Sequence, residues 1–263
     1  MKQFYLFFFL LFSFHINAQN TIFKWAKGIQ GNGFKSSNNI KVDTAGNVFI
    51  VGTFQGLADF DTDTSVSNLT SAGNDDIFIA KYTNNGNLIW CKRIGGAYQD
   101  VAVKMTIDTA GNIYITGYFN GTVDFNPNAG TNNLTAIGGR NAFICKLDGN
   151  GNYSWAIKFT NAYNQAYSMD CDANGNTYIT GEFSQTVDFN PGAAILNLTS
   201  QGFASDMFIV KLDNQGNLIW VKAIVGESSE FSTDIKVDEN GNVYSCGLFY
   251  GTADFDPSAG TFN

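Results

Sequence analysis

Asp108-Thr109-Ala110-Gly111-Asn112-Ile113-Tyr114-Ile115-Thr116-Gly117-Tyr118-Phe119 is the stretch that decides the fold. An aspartate followed three residues later by Gly-Asn suits a tight hairpin turn. The Asp side chain caps the turn, and glycine takes the positive φ. The residues after it are β-branched and aromatic, as a pleated, half-buried strand favours. The pattern returns as Asp43-Thr-Ala-Gly46-Asn47-Val-Phe-Ile50, Asp172-Ala-Asn-Gly175-Asn176-Thr-Tyr-Ile179 and Asp238-Glu-Asn-Gly241-Asn242-Val-Tyr-Ser245. Its glycines stand 65, 64 and 66 residues apart.

The same rhythm governs the tryptophans. Trp25, Trp90, Trp155 and Trp220 are all the tryptophans of the chain, each 65 residues from the next. Such regularity argues for one packing role repeated in every unit rather than a stacking ladder for glycans. Two further elements recur: Gly-x-x-Asp-Phe at Asp59-Phe60, Asp124-Phe125, Asp188-Phe189 and Asp254-Phe255, and a strand-like run at Ile77-Phe78-Ile79, Ala142-Phe143-Ile144 and Met207-Phe208-Ile209. In unit two the runs predict strands over 102–107, 113–119, 141–147 and 153–159, with turns at 108–112 and 148–152. The insert over 121–140 adds a loop or a small outer hairpin. Four strands joined by tight hairpins make a propeller blade. The expected fold is therefore all-β, a propeller-like array of four-stranded blades. A closing strand occupies about 23–31. Units follow at 32–96, 97–161 and 162–226, with a partial unit at 227–263.

The composite pattern D-x-x-G-N-x-[YF]-I-x-G-x-F, then D-F-[DN]-P, then F-I-x-K-[LY]-D-x-x-G-N-x-x-W, resembles the SBBP-type β-propeller repeat family of bacterial secreted proteins. The resemblance covers about residues 23–257. It implies the propeller fold and says little of function, because the family is defined by repeats and not by a reaction. From Trp25 onward the chain holds about 3.7 units, whereas most propellers have roughly 4–8 blades. The expectation is a truncated chain whose natural form continues with more blades. The alternative is a small four-bladed ring lacking one strand.

Lys2, the apolar run from Tyr5 to Phe14 and the small residue Ala18 read as a secretory signal peptide over 1–18. The run is too short to span a membrane. Export, to the extracellular space or the cell surface, is the expected localisation. Without that leader the chain has 14 Lys+Arg against 23 Asp+Glu, a net charge of −9. An acidic chain with no basic cluster is a poor partner for nucleic acid. The single histidine, His15, lies in the leader. The mature chain thus lacks the residue on which Ser-His-Asp and Cys-His catalysis and His-ligated metals depend. Cys91, Cys145, Cys171 and Cys246 hold four different repeat positions with no CxxC. They read as small strand residues, although export permits disulfides and three pairings are possible.

Candidate sites are few. Asp59, Asp61 and Asp63 alternate, and Asp254 and Asp256 echo them. Calcium takes several oxygen ligands from such loops, but units two and three place Asn126 and Asn190 there, so loop capping is the preferred reading and no cofactor is expected. Glu182, Glu227 and Glu230 lie off the repeat, unpaired in sequence, and Arg93 and Arg140 fall at different repeat positions. The reading is a secreted, non-catalytic propeller scaffold that binds an extracellular glycan, protein or surface. The alternative is a propeller enzyme acting on extracellular polysaccharide through carboxylates or a metal, which requires acids or arginine clustered at a channel mouth in one divergent unit.

Overall fold

The computed structural model describes residues 23–258, 260 and 262, apart from 62, 64 and 203. Residues 1–18, which the sequence reading takes as a leader and which include His15, lie outside the described residues. The fold is all-β and built of propeller blades. Unit two forms four antiparallel strands, Val101–Ile107, Ile113–Phe119, Asn141–Leu147 and Tyr153–Lys158, each paired with the next. Unit one repeats this with Lys35–Val42, Val48–Phe54, Asp76–Tyr82 and Leu88–Gly96. Unit three uses Asn164–Cys171, Thr177–Phe183, Asp206–Leu212 and Leu218–Gly226. Unit four has its first two strands, Glu230–Val237 and Val243–Phe249.

The turn chemistry is local and repeated. Asp108 Oδ1 accepts from the amides of Ala110 (3.0 Å) and Asn112 (2.8 Å), and Oδ2 accepts from the Asn112 side chain (2.8 Å). Gly111 closes the turn onto the Asp108 carbonyl at φ 83°. In the matching turn of unit four, the Asn242 amide and backbone N–H hold the Asp238 carboxyl below the usual carboxylate range.

Both faces of the blades are apolar, so the core lies between blades. One buried cluster joins Phe49, Val51 and Ile77 of unit one to Met105, Ile113 and Phe143 of unit two. A second joins Tyr114 and Ile144 of unit two to Met169, Ile179 and Val210 of unit three. The first strands of successive units lie side by side. Lys104 of unit two reaches past unit three to Asp234 of unit four at 3.0 Å, so these strands face a common axis.

The insert is an outer hairpin, Thr122–Asp124 with Asn133–Thr135 in unit two. It does not pair with its own blade. Val123 and Asp124 pair instead with Gly96 and Gly95 at the end of the preceding blade's fourth strand. The same clasp recurs at Ala58↔Gly31, Thr160↔Asp188 and Ala253↔Gly226. Phe125 anchors the hairpin against Phe143, with centroids 4.9 Å apart; Phe60 against Phe78 and Phe189 against Phe208 do likewise.

One expectation is corrected. The sequence predicts a closing strand over 23–31, but the structure has strand only at Gln30–Gly31. A fourth strand pairs with its own blade's third strand, and among the described residues nothing occupies that place beside 23–29. The outer hairpin of unit one supplies the partner for Gln30 and Gly31 alone. In unit four, Leu248, Phe249 and Phe255 stay exposed for the same reason.

Trp25, Trp90 and Trp155 each pack their ring on a glycine turn of the following unit. Trp155 Nε1 donates to the Asn214 carbonyl of the following unit at 3.2 Å, and its ring lies over Gly216. Trp25 makes the same contacts with Asn84 (3.0 Å) and Gly86, although no strand surrounds it. Trp90, Trp155 and Trp220 also meet Phe49, Tyr114 and Tyr178 of their own blades edge-on, at 6.2–6.3 Å. A methyl group added at Gly216 would sit 3.2 Å from Trp155, whereas one at Gly111 meets nothing within 4 Å. Both glycines have positive φ. Gly111→Ala is therefore expected to cost about 1 kcal/mol, the backbone term alone. Gly216→Ala should cost about 1 kcal/mol more through overpacking. Urea unfolding of the two variants checks the difference.

Candidate functional site

The units have two unlike ends. At one end lie the tight Asp-x-x-Gly-Asn turns, nearly the same in every unit. At the other, first strands begin, second strands finish and longer connections run between them. Here the repeat breaks. The penultimate residue of the second strand is Thr53, Tyr118, Glu182 and Leu248 in turn, and the residue before the third strand is Asp75, Arg140 and Ser205.

These divergent side chains form two clusters, one around Asp75 and Arg140 and one around Glu182. Gln55 Nε2 donates to Asp75 Oδ1 at 2.6 Å, and Gln99 Nε2 donates to Asp75 Oδ2 at 2.7 Å. Arg140 Nη2 donates to Gln99 Oε1 at 3.0 Å, while its guanidinium lies 4.5 Å over the centre of the Tyr118 ring. Beyond it, Glu182 Oε1 accepts from Tyr163 Oη (3.0 Å), Tyr167 Oη (2.7 Å) and Gln165 Nε2 (2.8 Å). Burial, reinforced by the Glu182 charge, pushes the Tyr163 phenol up to about 12, and the Arg140 charge opposes this. Burial and the same carboxylate raise Tyr167 as well. Both phenols therefore remain donors to Glu182 at neutral pH. Tyr118, Arg140, Tyr163, Tyr167 and Glu182 are each half-exposed, so both clusters are open to solvent from this end.

Sequence reasoning singled out Arg140 and Glu182 but saw no relation between them. It passed over Tyr118, Tyr163, Tyr167, Gln99 and Asp75. The signal that could have found them is the difference between units laid over one another, not the repeat itself. Of the other off-repeat residues, Arg93 lies inside a blade junction on Asp76, and Glu230 is buried at another; Glu227 stands apart from both.

The aspartates considered for calcium sit in separate units and act on their own loops. Asp59 Oδ1 accepts from the amides of Asp61 (3.1 Å) and Ser67 (2.8 Å). Asp61 accepts from the Asp63 amide, and Asp63 pairs with Lys27. Asp254 Oδ1 accepts from Asp256 (3.0 Å) and Phe262 (2.8 Å), and Asp256 accepts from Ser258 (2.9 Å). Asp124 makes the matching bonds in unit two, where asparagine replaces the second acid. Among the described residues no three His, Cys, Asp or Glu side chains gather as a metal site. The four cysteines are free thiols, with Cys145 fully buried. No helix among the described residues is long and apolar enough to cross a membrane.

Residues 89–125, from the fourth strand of unit one to Phe125 of unit two, match the family described as SBBP, beta-propeller repeat. The chain carries an SBBP-type repeat. It is also similar to an uncharacterized WD repeat-containing protein of Acanthamoeba polyphaga mimivirus, with 35% identity over 156 residues. That alignment takes in 56% of this chain and 11% of the viral protein, so the chain spans a small part of the relative's length.

Chelation with EDTA is expected to leave the unfolding temperature of the native protein within about 1 °C. Loop capping by backbone amides persists without a cation. A large drop restored by calcium alone would assign the Asp59 and Asp254 loops a ligating role.

Proposed function

We propose that the chain is a non-catalytic propeller scaffold of an extracellular binding protein, and that it recognises a glycan on the end of units two and three that carries Arg140 and Glu182. The supporting observation is where the repeat diverges. Packing and turn positions stay constant from unit to unit, while half-exposed polar and aromatic side chains change at one end. Loops and strand ends on a rigid scaffold are where binding residues concentrate. Tyr118 and Tyr163 offer ring faces to sugar C–H groups, and Arg140 and Glu182 supply hydrogen bonds for hydroxyls. The leader-like segment over 1–18 supports export.

The face is poorly arranged for glycoside hydrolysis, which uses two carboxylates flanking the bond. Glu182 commits one oxygen to three donors, and both Asp75 oxygens are held by glutamines. No second free carboxylate faces Glu182 among the described residues.

The test is calorimetric titration with a panel of soluble bacterial and plant polysaccharides. Arg140→Ala and Tyr118→Ala should each weaken binding about tenfold or more, as central interface side chains do, with unfolding temperature little changed. Unaltered binding in both variants overturns the assignment of the face. Product release that Glu182→Gln abolishes would overturn the scaffold reading in favour of an enzyme.

A further inference from the structure

Successive blades meet at a buried pair of side chains. The first residue of each incoming blade donates its backbone N–H to the carbonyl just before the third strand of the blade behind it. These bonds are Asp100 to Asp75 (2.7 Å), Asn164 to Arg140 (3.1 Å) and Glu230 to Ser205 (2.9 Å). Each brings the incoming side chain up to the first residue of that third strand. The pairs are Asp76 with Asp100, Asn141 with Asn164, and Asp206 with Glu230. All six residues are at most 1% exposed.

The amide junction is complete. Asn164 Oδ1 accepts from the Ala142 amide at 2.8 Å and its Nδ2 donates to the Ala162 carbonyl at 2.8 Å. Asn141 Oδ1 accepts from the Ile137 amide at 2.8 Å, and its Nδ2 donates to the carbonyls of Ile137, Arg140 and Ala162. The carboxyl junctions keep the acceptor bonds and lack the donors. Asp76 Oδ2 accepts from Ala72 (2.8 Å), and Asp206 Oδ2 from Gln201 (2.7 Å), as Asn141 does from Ile137. Yet Asp76 Oδ1, Asp206 Oδ1 and both Glu230 oxygens are buried with no partner. Orphaned buried oxygens are costly. An amide carries its own donor, and a carboxyl gains one only by holding a proton.

We propose that the Asp206–Glu230 pair holds one shared proton, so that this blade junction is clasped by an acid-dependent hydrogen bond while the Asn141–Asn164 junction is clasped at any pH. The charged surroundings agree. At the first junction Arg93 pairs with Asp76 at 2.5 Å, and both Asp100 oxygens already accept amides, from Gly96 (2.7 Å) and Asn120 (3.3 Å), so no shared proton is assigned there. Asp75 stands beside them but is turned to Gln55 and Gln99. At the second junction no lysine or arginine pairs with Asp206 or Glu230 among the described residues, and Glu227 is the nearest other acid in the connecting loop. Burial, then the neighbouring Asp206 carboxyl, raises Glu230 to about 7. Burial also lifts Asp100 to about 7, with the Asp76 charge adding to it and amides from Gly96 and Asn120 opposing it.

The direction of the pH effect follows. The folded chain keeps protons that the unfolded chain has lost above about pH 4. Stability from this source is complete below that pH and drains away as pH rises through 7. Carboxyls held low, such as Asp238, act in the opposite sense and weaken the fold only in stronger acid.

The test measures unfolding temperature from pH 5 to pH 8 in the native protein and in a Glu230→Gln variant, which gives the Asp206 junction an amide donor. The native protein should lose roughly 5 °C across that range, and the variant should lose about half as much. A level native profile, or an unchanged slope in the variant, overturns the proposal. Infrared spectra of the native protein near pH 6 give a check that needs no variant. A protonated-carboxyl stretch should be present and should vanish by pH 9; its absence overturns the proposal as well.

Discussion

Each four-stranded sheet here is apolar on both faces, and no sheet can bury both alone. The second strand of unit two, Ile113–Phe119, is buried along nearly its whole length, with side chains alternating toward the blades on either side. At roughly 25 cal/mol per Å² of apolar surface, stacking against neighbours is the term that holds the array together. Everything else in the structure serves that stacking or tolerates it. Trp155 covers the turn of the next blade, Lys146 reaches forward to the Asn214 carbonyl, and each outer hairpin pairs backward onto the previous blade. Units two and three, with neighbours on both sides, contain most of the fully buried aromatic rings.

The stacking also sets which parts of a unit are free to vary. A tight turn such as Asp108–Asn112 commits its Asp, Gly and Asn groups, so little can change at those three positions. The opposite end carries connections long enough to absorb new side chains. Arg140 and Glu182 come from that end, and so do the buried pairs behind them. Asp75 and Asp76 are adjacent in sequence yet face different tasks: Asp75 joins the surface cluster through Gln99, and Asp76 belongs to the junction with Asp100. The candidate binding face and the blade junction thus share one short stretch of backbone.

Much of the fold was legible in the chain itself. Strands Ile113–Phe119 and Asn141–Leu147 fall where the residue pattern predicts, because alternation, β-branched content and turn capping all act within a few residues. The Asp-Phe motif announced an insert, though not that its hairpin would pair with another blade. The candidate face was invisible, because Arg140 and Gln99 are 41 residues apart and no local pattern joins them.

Sequence by itself determined the repeat, the turns, the all-β class and the absence of histidine beyond residue 15, since these depend on composition and short-range chemistry. Tertiary structure alone decided that residues 23–29 form no strand, that Glu182 gathers two phenols, and that Glu230, which stands unpaired in sequence, lies buried against Asp206. Those outcomes depend on which sheet stands beside which, and stacking brings together residues whose separation along the chain carries no trace of their contact.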